Sequence, residues 1–233
     1  TLAQSIGLGT GQFCTNPGMI IYCDSKNKSD ISKQVYELLS GALLPPMVHI
    51  NIENNYKLKL KIIKKNNHGK LMGISDNNSS LATISAQELI ENTYLFEEIF
   101  GPFSLVVHCN SLKEMNKIAS LIPGQLTATI LAKNSDFSNI SSIVKILKNK
   151  VGRLLFEGVP TGVAINQAMN HGGPYPASTD VRYTSVGTDS IYRWLRPISF
   201  QDCPDSFLPP ALQNENPLGI NRVVNGIQTK TEL

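Results

Sequence analysis

One of the four cysteines stands in a setting unlike the others. Cys14 lies in Gly9-Thr10-Gly11-Gln12-Phe13-Cys14-Thr15-Asn16-Pro17-Gly18, a glycine- and proline-rich loop between a helix-like opening and a β-like run. A cysteine acts as a nucleophile through its thiolate, which needs hydrogen-bond donors or positive charge around it. Free amides in a tight turn can supply those donors, and the same amides can hold an oxyanion. On these residues alone two readings stand open, a reactive thiol and an incidental loop thiol. Cys23 and Cys109 adjoin the apolar runs Met19-Ile20-Ile21-Tyr22 and Leu105-Val106-Val107, and are expected to be small buried hydrophobes. Cys14, Cys23, Cys109 and Cys203 form no CxxC pair and have no histidine at zinc-ligand spacing, so neither a disulfide framework nor a metal site is expected.

Three further residues invite chemistry. His171 follows Cys14 by 157 residues, a separation compatible with a Cys–His hydrolase dyad, but the Cys14 neighbourhood lacks the Cys-Gly-Ser-Cys-Trp type of signature that such a protease would carry. Glu97 and Glu98 form an acidic pair leading into a strand, which by itself is an ordinary solvated feature.

Their context is more specific. Gly11-Gln12-Phe13-Cys14 with Thr15-Asn16-Pro17-Gly18 resembles the nucleophile motif of the aldehyde dehydrogenase superfamily, and Glu97-Glu98-Ile99-Phe100-Gly101-Pro102 resembles that family's second signature. The resemblance runs from the first residue to about Asn221. Gly152-Arg153-Leu154-Leu155-Phe156, His171-Gly172-Gly173-Pro174-Tyr175-Pro176 and Asn216-Pro217-Leu218-Gly219-Ile220 are similar to the branch of α-ketoglutarate semialdehyde dehydrogenases and related NADP-linked fatty-aldehyde dehydrogenases.

The resemblance implies a catalytic role for Cys14, whose thiolate would attack an aldehyde carbon and carry first a thiohemiacetal, then a thioester that water hydrolyses. It implies cofactor-binding roles for Glu98, toward the nicotinamide ribose hydroxyls, and for Phe100, beside the nicotinamide. Phe13, Thr15 and His171 are implied in substrate binding, with residues 160–175 as a further wall. The cofactor would be NAD or NADP, the substrate a small aldehyde such as an oxo-acid semialdehyde, and the assembly a homodimer or higher homo-oligomer. Family members are much longer than this chain, and no Gly-x-Gly-x-x-Gly follows a strand here. The expectation is therefore a catalytic-domain portion that is inactive alone because most of the cofactor site lies elsewhere. A non-catalytic remnant serving as a structural or interaction module is the alternative.

Elements must position these groups. Apart from the opening segment at 2–6, β-like and helix-like runs alternate as in an α/β fold with a largely parallel sheet, and the resemblance implies the mostly parallel three-layer sheet of the aldehyde dehydrogenase catalytic domain. Strands are expected at 19–22, 81–85, 103–108, 126–132 and 151–156. Asp30 can cap a helix with Ile31, Val35, Leu38 and Leu39 on one face, ending near Gly41; Ser111 can cap another with Leu112, Met115, Ile118 and Ala119 inward. Residues 137–150 read as helical and 66–69 as a turn. The stretch 160–187 has no periodicity and reads as functional or disordered. A short helix with Ile191, Trp194 and Leu195 follows, with Trp194 expected in a core or interface, then a strand-like run at 198–200, which the resemblance implies pairs between subunits. The expected division is 1–195 and 196–233.

The 233 residues are 41% hydrophobic and 17% charged, with a formal charge of +3, a balance that fits a soluble globular protein. No apolar run reaches the roughly 20 residues of a membrane span, and the beginning shows no signal peptide, so a cytoplasmic setting is expected. The chain starts at Thr1 without methionine, as an excised piece would. The lysines in Lys57-Leu58-Lys59-Leu60-Lys61-Ile62-Ile63-Lys64-Lys65 alternate with apolar residues, which predicts a strand with one wet face. Without interleaved aromatics or a second basic cluster, a nucleic-acid surface is not expected.

Overall fold

The computed structural model describes residues 1–23, 30–66, 70–72 and 79–233. It divides into two units, Thr1–Arg193 and Trp194–Leu233.

The larger unit is built on a four-stranded sheet in the order β1-β4-β3-β2, with β1 Met19–Cys23, β2 Lys70–Met72, β3 Ser80–Ser85 and β4 Phe103–Cys109. Both β1 and β3 run parallel to β4, and β2 pairs antiparallel with β3 at the edge. Side chains alternate between the faces, as a pleated strand requires. Ala82, Ile84, Leu105 and Val107 pack on one face with α3 Ile50–Asn66, α4 Ala86–Glu91 and α5 Leu112–Leu121. Leu81 and Val106 pack on the other with α1 Leu2–Gly7 and α2 Ile31–Ser40. The result is the expected three-layer arrangement. β4 is buried on both faces, which suits the apolar run Leu105-Val106-Val107 in a central parallel strand.

Local signals set the helix starts. The Asp30 carboxylate accepts the Lys33 N–H and opens α2; the Ser111 hydroxyl accepts the Glu114 N–H and opens α5. Val35 and Leu39 are buried as expected on α2, but Leu38 is 69% exposed, one step around the wheel from them. On α5, Ile118 and Ala119 are buried whereas Leu112, in the first turn, is on the surface.

The lysine-rich stretch corrects the expected strand. It is the second half of α3, a 17-residue helix. Leu60 and Ile63 are buried together with Tyr56, at i, i+4 and i+7, while Leu58 and Ile62 lie on the outer side. The alternation over 57–61 fits a period of two, but the residues that are buried, Tyr56, Leu60 and Ile63, share one face of a helix. Burying three large side chains contributes about 1.5–3 kcal/mol each, more than any strand propensity of the alternating residues. Glu53 pairs with Lys57 at 2.6 Å, and Lys64 and Lys65 occupy the last turn, where the helix dipole favours cations. The turn expected at 66–69 falls on Asn66, the last residue of α3, and otherwise lies outside the described residues.

A second, two-stranded parallel sheet follows, β5 Gln125–Ile130 and β6 Val151–Phe156, joined through α6 Ser141–Leu147. The helix is shorter than the expected 137–150. Residues 134–136 form a 3-10 turn closed by the Asp136 carboxylate on the Lys133 N–H, and Phe137 is left exposed. Residues 160–187 contain no helix or strand but are held by hydrogen bonds. Thr188–Trp194 is a 3-10 helix whose Ile191 and Trp194 are exposed, rather than core.

In the smaller unit the expected strand at 198–200 is absent: Ile198 and Phe200 are exposed and join no ladder. A strand exists only through a partner, and none is within this unit. A hairpin instead joins β7 Arg222–Val224 to β8 Ile227–Thr229 through Asn225 and Gly226, both at positive φ. Asn-Gly between apolar residues is the usual two-residue hairpin signal, and it was present in the sequence. The unit is held by polar ties: the Arg222 guanidinium donates to the carbonyls of Asn214 and Thr231, and the buried Asn216 amide to those of Ile220 and Lys230.

Among the described residues no helix is long and apolar enough to cross a membrane, and no group of three or more His, Cys, Asp or Glu side chains could hold a metal ion.

Candidate active site

The two motifs meet because of strand order. Residues 9–18 lead into β1 and residues 97–102 lead into β4, and these strands are parallel neighbours with Met19 opposite Leu105. Both loops therefore enter the same end of the sheet. The Ser104 hydroxyl donates to the Pro17 carbonyl at 2.7 Å, the Leu105 N–H to the Gly18 carbonyl at 2.9 Å, and the Asn16 amide to the Gly101 carbonyl at 3.1 Å. A Cβ at Gly11 would stand 2.2 Å from the Gly101 carbonyl group, so only glycine permits the approach.

The turn before Cys14 is left-handed through Gly9, Thr10 and Gly11, at φ 55°, 57° and 67°. Thr10 is a β-branched residue in a region such residues avoid. It is buried, and its hydroxyl donates to the Pro45 carbonyl at 2.8 Å, which holds it there. Gln12 bridges the same segment outward, accepting the Val48 N–H at 2.9 Å.

Cys14 itself is exposed, and its Sγ lies 3.3 Å from His171 Nε2. His171 is brought there by backbone contact. Gly172 and Gly173 lie against the start of β6 and β5: a Cβ on Gly152 would meet the Gly172 carbonyl at 2.1 Å, and one on Gly173 the Gln125 carbonyl at 2.4 Å. The Asn170 amide donates to the Gly152 carbonyl at 3.0 Å. Burial, and then the charge of Arg153, hold the His171 pKa below its ordinary value. A neutral imidazole can accept a proton from the thiol. Arg153 donates to the Pro160 carbonyl at 2.7 Å, and Thr161 shares a 2.7 Å hydroxyl contact with Ser5 of α1, so residues 160–161 are tied both to β6 and to the helix before the Cys14 loop. A cavity of about 460 Å³ opens beside β6, lined by Arg153, Leu154, Asn166, Met169 and Asn170 among others.

Glu98 is exposed and Phe100 half-buried on the segment between α4 and β4. Lys59 of α3 donates to the Glu98 carbonyl at 2.8 Å and pairs with the Glu97 carboxylate at 3.6 Å. Tyr56 donates to the Pro102 carbonyl at 3.3 Å, and its ring lies where a Gly101 side chain would be. Burial pushes the Tyr56 phenol up to about 12, so it remains a donor. A strand over residues 57–65 would not bring these groups together; the helical spacing of Tyr56, Leu60 and Ile63 is the sequence signal for the α3 contacts. Of the two residues flanking Cys14, Phe13 is partly exposed with its ring over Gly9, and Thr15 is 6% exposed. The structure thus joins Cys14 to His171, and the Cys14 loop abuts the segment that bears Glu98 and Phe100.

An α/β sheet thus carries the loop thiol, and the Glu-Glu-Ile-Phe-Gly-Pro segment enters the adjacent strand. The chain is 35% identical to alpha-ketoglutaric semialdehyde dehydrogenase 2 of Azospirillum brasilense over 238 residues, covering 96% of this chain and 44% of the relative. It is also 35% identical to the alpha-ketoglutaric semialdehyde dehydrogenase of Acinetobacter baylyi over 234 residues, covering 97% and 44%. The chain therefore spans less than half the length of these curated relatives. No family model matches it. Among solved structures it is similar to a Thermus 1-pyrroline-5-carboxylate dehydrogenase with bound NAD, with a TM-score of 0.59 at 19% identity over 74% of this chain and 34% of that one. It is likewise similar to proline utilization A from Bdellovibrio bacteriovorus, with a TM-score of 0.65 at 18% identity over 84% and 21%. At such identities the shared feature is the fold. The resemblance to aldehyde dehydrogenases is borne out in sequence over nearly the whole chain, and the solved structures share its fold over most of it.

Proposed function

We propose that this chain carries the nucleophile of a nicotinamide-dependent aldehyde oxidation, with Cys14 as the reacting group and an oxo-acid semialdehyde such as α-ketoglutarate semialdehyde as substrate. The observation that carries the reading is the exposed Cys14 thiol, 3.3 Å from a neutral-leaning imidazole, on a loop that touches the second motif through Gly11. Cys14 gives its proton to His171 Nε2, and the thiolate adds to the aldehyde carbon while the C=O pair moves to oxygen. A bound NAD or NADP supplies the two-electron acceptor for the hydride of that carbon. The thioester left on Cys14 is opened by water: the C–S bond breaks, the carboxylate departs, and the sulfur regains its proton.

The residues present suit such a cofactor. Glu98 is exposed on a backbone that Lys59 anchors, so its carboxylate can accept from ribose hydroxyls, and Phe100, two residues on and half-buried, offers a ring to lie against the nicotinamide. Phe13, Thr15 and His171 are the proposed substrate contacts. By this reading residues 1–195 form a catalytic domain, and residues 196–233 an oligomerisation segment in which 198–200 gains a strand partner from another subunit.

The test is a steady-state panel of aldehydes with both cofactors on the full-length protein, wild type and Cys14→Ala. Turnover that depends on Cys14, with oxo-acid semialdehydes preferred, is the expected result; turnover retained in Cys14→Ala overturns the assignment. The 233 residues alone are expected to yield no NAD(P)H. Sedimentation of the full-length protein tests the oligomer, and a strict monomer would count against it.

A further inference from the structure

We propose that Thr184 is a positioning residue for the Cys14–His171 pair: with Ser185 it clamps the His171 backbone so that the imidazole stands against the thiol. The proposal rests on Cys14 and His171 acting together as read above, and concerns what holds the second of them.

His171 lies where no helix or strand exists, so no ladder fixes its main chain. Its own N–H and C=O are both taken by the pair 184–185. The His171 N–H donates to Thr184 Oγ1 at 2.8 Å. The Thr184 hydroxyl donates in turn to the Val186 carbonyl at 2.7 Å, and also accepts the Val186 N–H at 3.4 Å. One donor and two acceptor directions exhaust a hydroxyl, so Thr184 has a single arrangement here. It is 8% exposed, which removes water as a substitute partner. Ser185 closes the other side: its N–H and its hydroxyl both donate to the His171 carbonyl, at 3.0 and 2.8 Å.

The neighbours of His171 are fixed independently on β6, Asn170 through its amide and Gly172 through backbone contact with Gly152. Those contacts place the segment but leave rotation of the peptide planes flanking His171 to the 184–185 clamp. The imidazole reaches the Cys14 sulfur at 3.3 Å, and a rotation of those planes swings the ring off the thiol, changing the angle of the contact together with its length.

Peptide-resolved alkylation by iodoacetamide at pH 7, on the full chain, reads the pair directly, since the rate follows the thiolate. His171→Ala is expected to lower the Cys14 rate about tenfold, and Thr184→Val to approach that loss while Thr184→Ser stays near wild type. In the His171→Ala background Thr184→Val should add nothing. An unchanged Cys14 rate in Thr184→Val overturns the proposal, as does a further fall in the double variant, which would show an effect that bypasses His171. An unchanged rate in His171→Ala removes the pairing itself, whereas the nucleophile assignment stands or falls separately with Cys14→Ala turnover. Should Thr184→Val fail to fold by circular dichroism, the exposed Ser185→Ala carries the same comparison: a partial loss of rate supports the clamp, and an unchanged rate overturns it.

Discussion

A Cβ added to Gly11 would fall 2.2 Å from the carbonyl group of Gly101, although the two glycines lie in motifs separated by most of the β1-to-β4 segment. Gly11 is also at φ 67°, where side chains are strained regardless of space. Gly11→Ala is therefore expected to destabilise by about 1–3 kcal/mol from the backbone alone, with the collision in addition. Urea unfolding measures this. A midpoint equal to wild type would show that the two loops are not in contact.

The cysteines should separate by reactivity. Cys14 is exposed, whereas Cys109 is buried and its thiol is pushed up to about 12, first by burial and then by Cys23 and Glu114. At pH 8 that leaves roughly one Cys109 in ten thousand as thiolate. Iodoacetamide should label Cys14 in the folded chain and Cys109 only after denaturation, as peptide mass spectrometry would show. Equal labelling of both would contradict the burial of β4.

The pH response of His171 has a definite sign. Burial and then Arg153 lower its pKa from 6.5 in the folded chain. As pH falls through the ordinary histidine range the unfolded chain takes up this proton first, so the residue's contribution to stability is present above that range and is lost below it. Arg153→Gln should move the His171 titration upward, observed by imidazole NMR, with the part due to burial remaining. Arg153→Lys should keep most of the shift. A titration unmoved in Arg153→Gln would exclude the charge as a cause.

Glu157, directly after β6, is exposed at φ 68° and is followed by Gly158 at φ 75°. Left-handed backbone costs most L residues about 1–2 kcal/mol, and asparagine less. Glu157→Asn is expected to raise stability by about 0.5–1 kcal/mol in chemical denaturation. A loss of stability would mean the Glu157 side chain makes a contact that outweighs the strain.

Much of the larger unit is legible along the chain because its signals are local. Asp30 and Ser111 start helices by accepting amides within one turn, and Met19-Ile20-Ile21-Tyr22 in β1 and Leu105-Val106-Val107 in β4 are apolar runs of the kind that covered parallel strands carry. The motif around Cys14 and the one ending in Pro102 are local as well. Residues 57–65 were not legible, since five alternating residues fit a period of two as readily as 3.6, and the burial of Tyr56, Leu60 and Ile63 decided between them.

What the sequence by itself determined is therefore a set of elements and two chemical motifs, Cys14 in one and Glu98 in the other. Only tertiary structure decided that β1 and β4 are neighbours, that α3 anchors Glu98 through Lys59, and that His171 reaches Cys14. Propensity and capping act within a turn or two of chain, whereas these contacts join residues 39, 85 and 157 positions apart and exist only once the sheet and its covering layers are packed.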